Sequence, residues 1–119
     1  MFVNVSNHPS ELWLDKQKEC ALCYGDIVDV AFPAIHKDYD SSKYDELVEL
    51  YYERIMGICP DVVMVQGEFV FTYRLVGKLK ESGIRVVSAR SERVCQEFKD
   101  ENNVIHKHSI FEFIDFVDY

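Results

Sequence analysis

The sequence predicts an α/β fold, a Rossmann-like three-layer sandwich with a mainly parallel sheet and a C-terminal β-hairpin. Three observations predict it. Short apolar runs alternate with longer segments of helical periodicity in the order β-α-β-α-β-α-β. The run "DVVMVQG" is continuously apolar, as a central strand covered on both faces should be. The C-terminal stretches "RVCQEF" and "HKHSIFEFIDFV" instead alternate with period two around "KDENN", which is a hairpin signal. A chain of 119 residues has the size of one domain, here 1–119, with a core of its own.

Taken in order, "FVNVS" (2–6) is a β-rich run that ends in the polar segment Ser6-Asn7-His8-Pro9-Ser10. Over 10–24, Leu12, Trp13, Cys20, Leu22 and Cys23 recur at mixed three and four spacing, and Gly25 stops the predicted helix. "DIVDVAF" (26–32) is the second strand, ended by Pro33. A polar loop over 36–45 offers Ser41 or Ser42 as an N-cap. The helix over 44–58 carries Leu47, Leu50, Tyr51, Ile55 and Ile58 on one stripe. Pro60 separates it from the central strand. A third helix over 69–82 has Phe69, Tyr73, Val76 and Leu79 in register, with Gly83 just past its end. "IRVVSA" (84–89) is the fourth strand, and the hairpin follows it.

Composition narrows the function classes. A hydrophobic content of 48% with 13% aromatic residues excludes a disordered chain despite the net charge of -8. The charge argues against duplex DNA or RNA, whose binding is dominated by contacts to phosphate. A small anionic ligand remains open to it, because a helix N-terminus and one or two arginines hold phosphate without a basic surface. No apolar run is long enough to span a membrane, and "MFVNVSNHP" lacks the features of a signal peptide, so a cytoplasmic protein with reduced cysteines is expected.

An open α/β sheet binds ligands outside the carboxyl ends of its parallel strands. Three polar segments are expected there: Ser6-Asn7-His8, Gln66-Gly67-Glu68 and residues 88–93. Gly67 either eases a strand-to-helix turn or admits a ligand, and Glu68 either favours the helix dipole or faces the site. Gln66, an amide at the exit of a buried strand, is read as presented to a ligand rather than tied to backbone. His8 is a loop histidine bonded to backbone, or else a general acid/base or phosphate donor. Arg90 and Arg93 are either surface ion pairs or phosphate contacts. Ser91, outside any GxSxG elbow, reads as a cap or turn residue.

Other motifs are weaker. There is no GxGxxG and no GxxxxGK[ST], so neither a dinucleotide coenzyme nor a Walker-type site has support. Cys20-Ala-Leu-Cys23 falls near a helix end and finds no second CxxC, so all four cysteines read as buried apolar thiols. His106 and His108 share a strand face, yet no third ligand accompanies them. No metal and no cofactor is expected.

The motifs "VSNHP", "VMVQGEF" with Tyr73 following, "VSARSERV" and "HKHSIFEFIDFVDY" together resemble the small stand-alone CRISPR-associated proteins related to CARF (CRISPR-associated Rossmann fold) domains. Those ring nucleases degrade the cyclic oligoadenylate messengers of type III CRISPR systems. The resemblance runs loosely along the whole chain and is best over 61–119. It implies a single CARF-like domain with Ser6, Asn7, His8, Gln66, Gly67, Glu68, Phe69, Tyr73, Ser91 and Arg93 around the ligand, with His8 and Arg93 catalytic. The tail ending in Tyr119 would close the fold. Relatives often carry a basic residue before the final tyrosine, where this chain has Asp118.

The chemistry implied is metal-independent attack by the ligand's own 2′-hydroxyl, which the protein holds in line while stabilising charge on the phosphoryl oxygens. The implied ligand is cyclic tetra-adenylate, bound across a twofold homodimer. Two alternatives use the same residues. One is a sensor or sponge that binds without cleavage; the other is a nucleoside deoxyribosyltransferase-like enzyme with Glu68 as nucleophile.

Overall fold

A computed structural model describes residues 1–119. Its sheet is built outward from β1 (Phe2–Ser6), all five residues of which are buried. β2 (Ile27–Ala31) and β3 (Val62–Val65) flank β1, both parallel to it. β4 (Arg85–Lys99) runs parallel to β3, and β5 (Ile105–Asp118) returns antiparallel to β4, giving the order β2-β1-β3-β4-β5. Side chains alternate across the sheet, so its two faces build two cores. Val3, Val5, Val63, Val65 and Val86 pack with Ile55, Phe71, Leu75 and Leu79 on one face, under α2 (Ser41–Ile58) and α3 (Phe69–Glu81). Phe2, Val62, Met64 and Val87 pack with Trp13 and Ala21 on the other, under α1 (Asp15–Leu22). The Rossmann-like three-layer α/β sandwich, mainly parallel with a C-terminal β-hairpin, is the architecture observed.

Local chemistry shifts several element bounds. The first helical segment is two pieces, a 3-10 turn at Ser10–Leu12 and then α1, because Trp13 and Leu14 are extended between them. That break turns the Trp13 indole into the core, where its edge meets the Phe2 ring at 6.1 Å. Gly25 follows α1 with φ +121. α2 begins three residues earlier than its apolar stripe implied, and its cap is neither Ser41 nor Ser42 but Asp40, whose carboxylate accepts the Lys43 amide at 2.9 Å. Leu50 leaves the predicted stripe and is exposed; Val48, on the adjacent row, is buried instead.

The face assigned to α3 also needs correction. Val76 and Leu79 are buried as expected, but their companions are Phe71, Thr72 and Leu75. Phe69 is 89% exposed and Tyr73 81% exposed, since the sheet lies on the other side of the helix. The fourth strand does not stop at residue 89: β4 runs unbroken into the hairpin, with only a register shift between Arg90 and Ser91. Ser91 is therefore a strand residue rather than a cap or turn. The thiols are not buried either. Cys23, Cys59 and Cys95 are exposed and Cys20 is half-buried.

The tail closes the sheet as expected. The Tyr119 hydroxyl donates to the Val65 carbonyl at 2.6 Å, and its amide donates to Val86 at 3.1 Å. Asp118 carries no charge toward the carboxyl ends of the strands; it pairs with Arg85, whose guanidinium also sits over the Tyr24 ring. No helix is long and apolar enough to cross a membrane.

Candidate functional site

β1 ends at Ser6 and β3 ends at Val65, so the chain leaves the sheet at neighbouring points. The loop after β1 is tied down by a polar network the sequence reading missed. Asn4, buried in the middle of β1, donates from Nδ2 to the Asp29 carboxylate and to the His8 carbonyl, each at 2.9 Å. Its Oδ1 accepts the Ser6 hydroxyl at 2.7 Å, and Ser6 Oγ in turn accepts the His8 amide at 3.2 Å. The Trp13 indole N–H adds a second donor to the His8 carbonyl at 3.0 Å. Asp29 accepts the hydroxyl of Ser10 at 2.9 Å. The backbone of His8 is thereby fixed, while its imidazole makes no hydrogen bond within the chain.

Between this loop, α1 and the base of the hairpin lies a cavity of about 430 Å³, within the range of small-molecule sites. Of the predicted residues, Ser6, His8, Gln66 and Ser91 line it. Trp13, Gln17, Met64, Phe111 and Phe113 complete much of its wall. Two of the predicted contacts are already committed. Ser6 serves the loop network described above. Gln66 is tied to backbone rather than presented: Oε1 accepts the Ala89 N–H at 2.9 Å and Nε2 donates to the Ala89 carbonyl at 3.3 Å. The side chains left free are those of His8 and Ser91, together with the Gln17 amide, whose one contact is a weak 4.0 Å approach to the Met64 sulfur.

Arg93 stands on the rim. Cross-strand partners share a face, and Arg93 opposes Phe111 while Ser91 opposes Phe113, both cavity residues. Its guanidinium donates to Ser109 Oγ at 3.2 Å and makes no ion pair. Arg90 points to the other face and is neutralised by Asp115 through two contacts of 2.9 and 2.8 Å. The ion-pair reading thus holds for Arg90 and not for Arg93.

The other predicted residues lie outside the cavity. Glu68 is the N-cap of α3, its two oxygens accepting the amides of Val70 and Phe71 at 3.0 and 2.9 Å. It also faces Tyr44, whose phenol is pushed up first by burial and then by the charge of Glu68. Gly67 gives room to a core ring, since a Cβ there would meet Phe32 at 2.4 Å. Asn7 is exposed and does not line the cavity. Phe69 projects into solvent, and Tyr73 lines a separate groove with Arg74 and Lys78 on the α2 and α3 side of the sheet. His106 pairs with Asp100 at 2.8 Å near the hairpin tip and stacks on Phe98.

Comparison with known proteins joins this architecture to one family. The chain belongs to the Uncharacterized protein MJ1673 family. The family model matches residues 1–117, so the match takes in the loop after β1, the cavity walls and the hairpin. No curated protein matches the chain.

Proposed function

We propose that this member of the family is a ring nuclease of type III CRISPR signalling, a cytoplasmic protein that binds cyclic oligoadenylates, cyclic tetra-adenylate foremost, and opens them without a metal ion. One observation supports the reading most. The chain holds 21 acidic residues, yet none lines the cavity at the carboxyl ends of β1 and β3. A carboxylate-free wall with the exposed Phe111 ring and the free groups of His8, Gln17 and Ser91 suits a nucleotide: bases stack on the aromatic face and the amide and hydroxyl meet their edges. Arg93, without an acidic partner, is the cation for a phosphate.

In this reading the 2′-oxygen of one adenylate attacks the adjacent phosphorus, and the bond from phosphorus to the 5′-oxygen breaks. The product ends are a 2′,3′-cyclic phosphate and a 5′-hydroxyl. Arg93 offsets charge on the phosphoryl oxygens, and the His8 imidazole takes or gives the proton. The fixed His8 backbone keeps that imidazole at the cavity, which limits the entropy lost in positioning it.

A binding-only sensor or sponge is the second reading, favoured by the commitment of Ser6 and Gln66 to the fold, which leaves His8 as the sole ionisable group in the lining. The deoxyribosyltransferase-like reading loses its nucleophile, because both Glu68 oxygens cap α3. Incubation with labelled cyclic tetra-adenylate, with and without EDTA, separates the two that stand. Linear fragments with 2′,3′-cyclic phosphate ends support the nuclease, retention of the intact ring supports the sensor, and neither outcome refutes both.

A further inference from the structure

Gln17 is the third residue of α1, a position from which a glutamine ordinarily reaches back to the amide of the capping residue. Here the cap is Leu14, which has no side-chain acceptor to complete that reciprocal pair, and the amide of Gln17 turns into the cavity instead. Its neighbours in the helix set the direction. Ala21, one turn on, is fully buried in the core with Phe2 and Trp13, so the helix face that carries Gln17 is pressed toward the sheet. The half-buried carboxamide comes to rest beside Met64 of β3, with Nε2 4.0 Å from the sulfur and no hydrogen bond to Oε1. A thioether is a weak acceptor. The donor and the acceptor of this amide are therefore both unspent, in a wall where Ser6 and Gln66 are already used by the fold.

The surroundings specify what such an amide can meet. Leu12, Leu14 and Phe111 line the same cavity and are 73%, 62% and 68% exposed, so large apolar surfaces stand open around it. A flat ring placed among them would cover those surfaces. The charged residues of α1, Asp15, Lys16, Lys18 and Glu19, are all absent from the wall, as is every other carboxylate. Guanine is poorly matched, because the hydrogens on its N1 and N2 together call for a carboxylate that the wall lacks. Adenine sets a donor, its 6-amino group, beside an acceptor, N7, and one carboxamide satisfies both; a 6-oxopurine offers only acceptors on that edge.

We propose that Gln17 is the residue that selects adenine: Oε1 accepts from the 6-amino group and Nε2 donates to N7, while the base stacks on Phe111. Leaving the Met64 sulfur costs the amide little, because that contact is long and weak. The assignment rests on the nucleotide reading of the cavity and adds to it the origin of its base specificity. It also divides the site. The base is read from α1, and the phosphate is held by Arg93 on the hairpin.

Equilibrium dialysis of the full chain against mononucleotides, which carry no internucleotide bond to cleave, tests the assignment. The wild-type chain should bind 5′-AMP roughly tenfold or more tightly than 5′-IMP, whose 6-oxygen cannot donate, and than 7-deaza-AMP, which lacks the N7 acceptor. Gln17→Leu keeps the bulk and the helix propensity, and should bring the affinities for these nucleotides to within about twofold of one another. Gln17→Glu keeps the acceptor for the 6-amino group but sets an oxygen against N7. It should invert the order, so that 7-deaza-AMP, with C–H in place of N7, binds more tightly than AMP. Wild-type affinities that do not distinguish AMP from IMP or from 7-deaza-AMP would overturn the assignment. So would a preference for AMP that survives in Gln17→Leu while all affinities fall together, since Gln17 would then be a packing residue. Failure of the wild type to bind AMP overturns it as well, and if that protein still opens cyclic tetra-adenylate the nuclease reading stands. Selection of AMP through Gln17 by a protein that leaves the ring intact does the reverse.

Discussion

The Gln66 carboxamide pairs with the backbone of Ala89 through two hydrogen bonds, one accepted at 2.9 Å and one donated at 3.3 Å. Strand β3 has ended by then, and β4 has not. The side chain therefore stands in for the backbone of a missing ladder residue and holds the cavity floor beside β4. Gln66→Ala leaves the Ala89 N–H and carbonyl without protein partners at a half-buried site. The expected loss is about 1 to 3 kcal/mol in urea unfolding, with weaker ligand binding as a consequence. A variant as stable as wild type would mean that water replaces the amide at no cost.

Gly67 gives a different expectation from the one a ligand-facing glycine would. Its Cβ would collide with the Phe32 ring, which is held edge-on against Phe71 at 5.2 Å. Gly67→Ala should lower stability by about 1 to 3 kcal/mol through overpacking. Phe32→Leu, made alone, should also destabilise, but the double variant should recover part of the sum as a favourable coupling. Additive losses in a double-mutant cycle would show that the ring is not what excludes a side chain at Gly67.

Asp118 should carry a pH signature. Its hydrogen bonds to Arg85, led by the 2.7 Å contact from Nε, hold the carboxyl below its ordinary value of 3.8, against the opposing effect of burial. A carboxylate depressed in the folded state contributes stability above its unfolded value, and that contribution is lost as pH falls through the folded one. The loss here therefore falls below about pH 4. Carbon-detected NMR titration should give Asp118 a midpoint under 3.8, and Arg85→Met should bring it back up to the ordinary range. An Asp118 midpoint that ignores the Arg85 substitution would contradict the pairing.

The alternation of strands and helices was legible because it depends on local periodicity; the bounds of the first three strands moved by only a residue or two, while the fourth runs on to Lys99 as one arm of the hairpin. Local periodicity does not decide which face of a helix turns inward or which polar side chains are bonded, because both depend on neighbours in space. Phe69 and Tyr73 continue an apolar row with Val76, so α3 has two plausible stripes; only the sheet decides that Phe71 and Leu75 face inward. Trp13 and Leu14 fit a helix by spacing, yet the pull of the indole toward Phe2 and the His8 carbonyl breaks it. Asn4 and Asp29 carried a signal that was passed over: each is a polar residue inside an apolar strand, and strand pairing sets them directly side by side. The segments around Ser6 and Gln66 were correctly brought to one end of the sheet, but Ser6 is taken up by Asn4 and His8, two residues to either side, and Gln66 by Ala89, 23 residues on, which periodicity does not reveal.

His8 and Arg93 separate positioning from proton transfer, and their variants test the proposed chemistry most directly. If the ring opens by attack of its own 2′-hydroxyl, activity should survive excess EDTA, and a ring with the reacting hydroxyl replaced by hydrogen should bind without breaking. Arg93 makes no ion pair, so Arg93→Ala removes a charge from the rim without stranding a partner carboxylate. It should weaken binding and slow cleavage together, by roughly 10²-fold for a lost charge-assisted contact to phosphate. His8 is held by its backbone, through Asn4, Ser6 and Trp13, so His8→Ala should keep the loop and the cavity intact. Its single-turnover rate should fall on the order of 10² to 10⁴-fold with affinity nearly unchanged. A normal rate in His8→Ala would take the imidazole out of the reaction and leave orientation and Arg93 to carry it, whereas cleavage abolished by EDTA would end the metal-independent scheme.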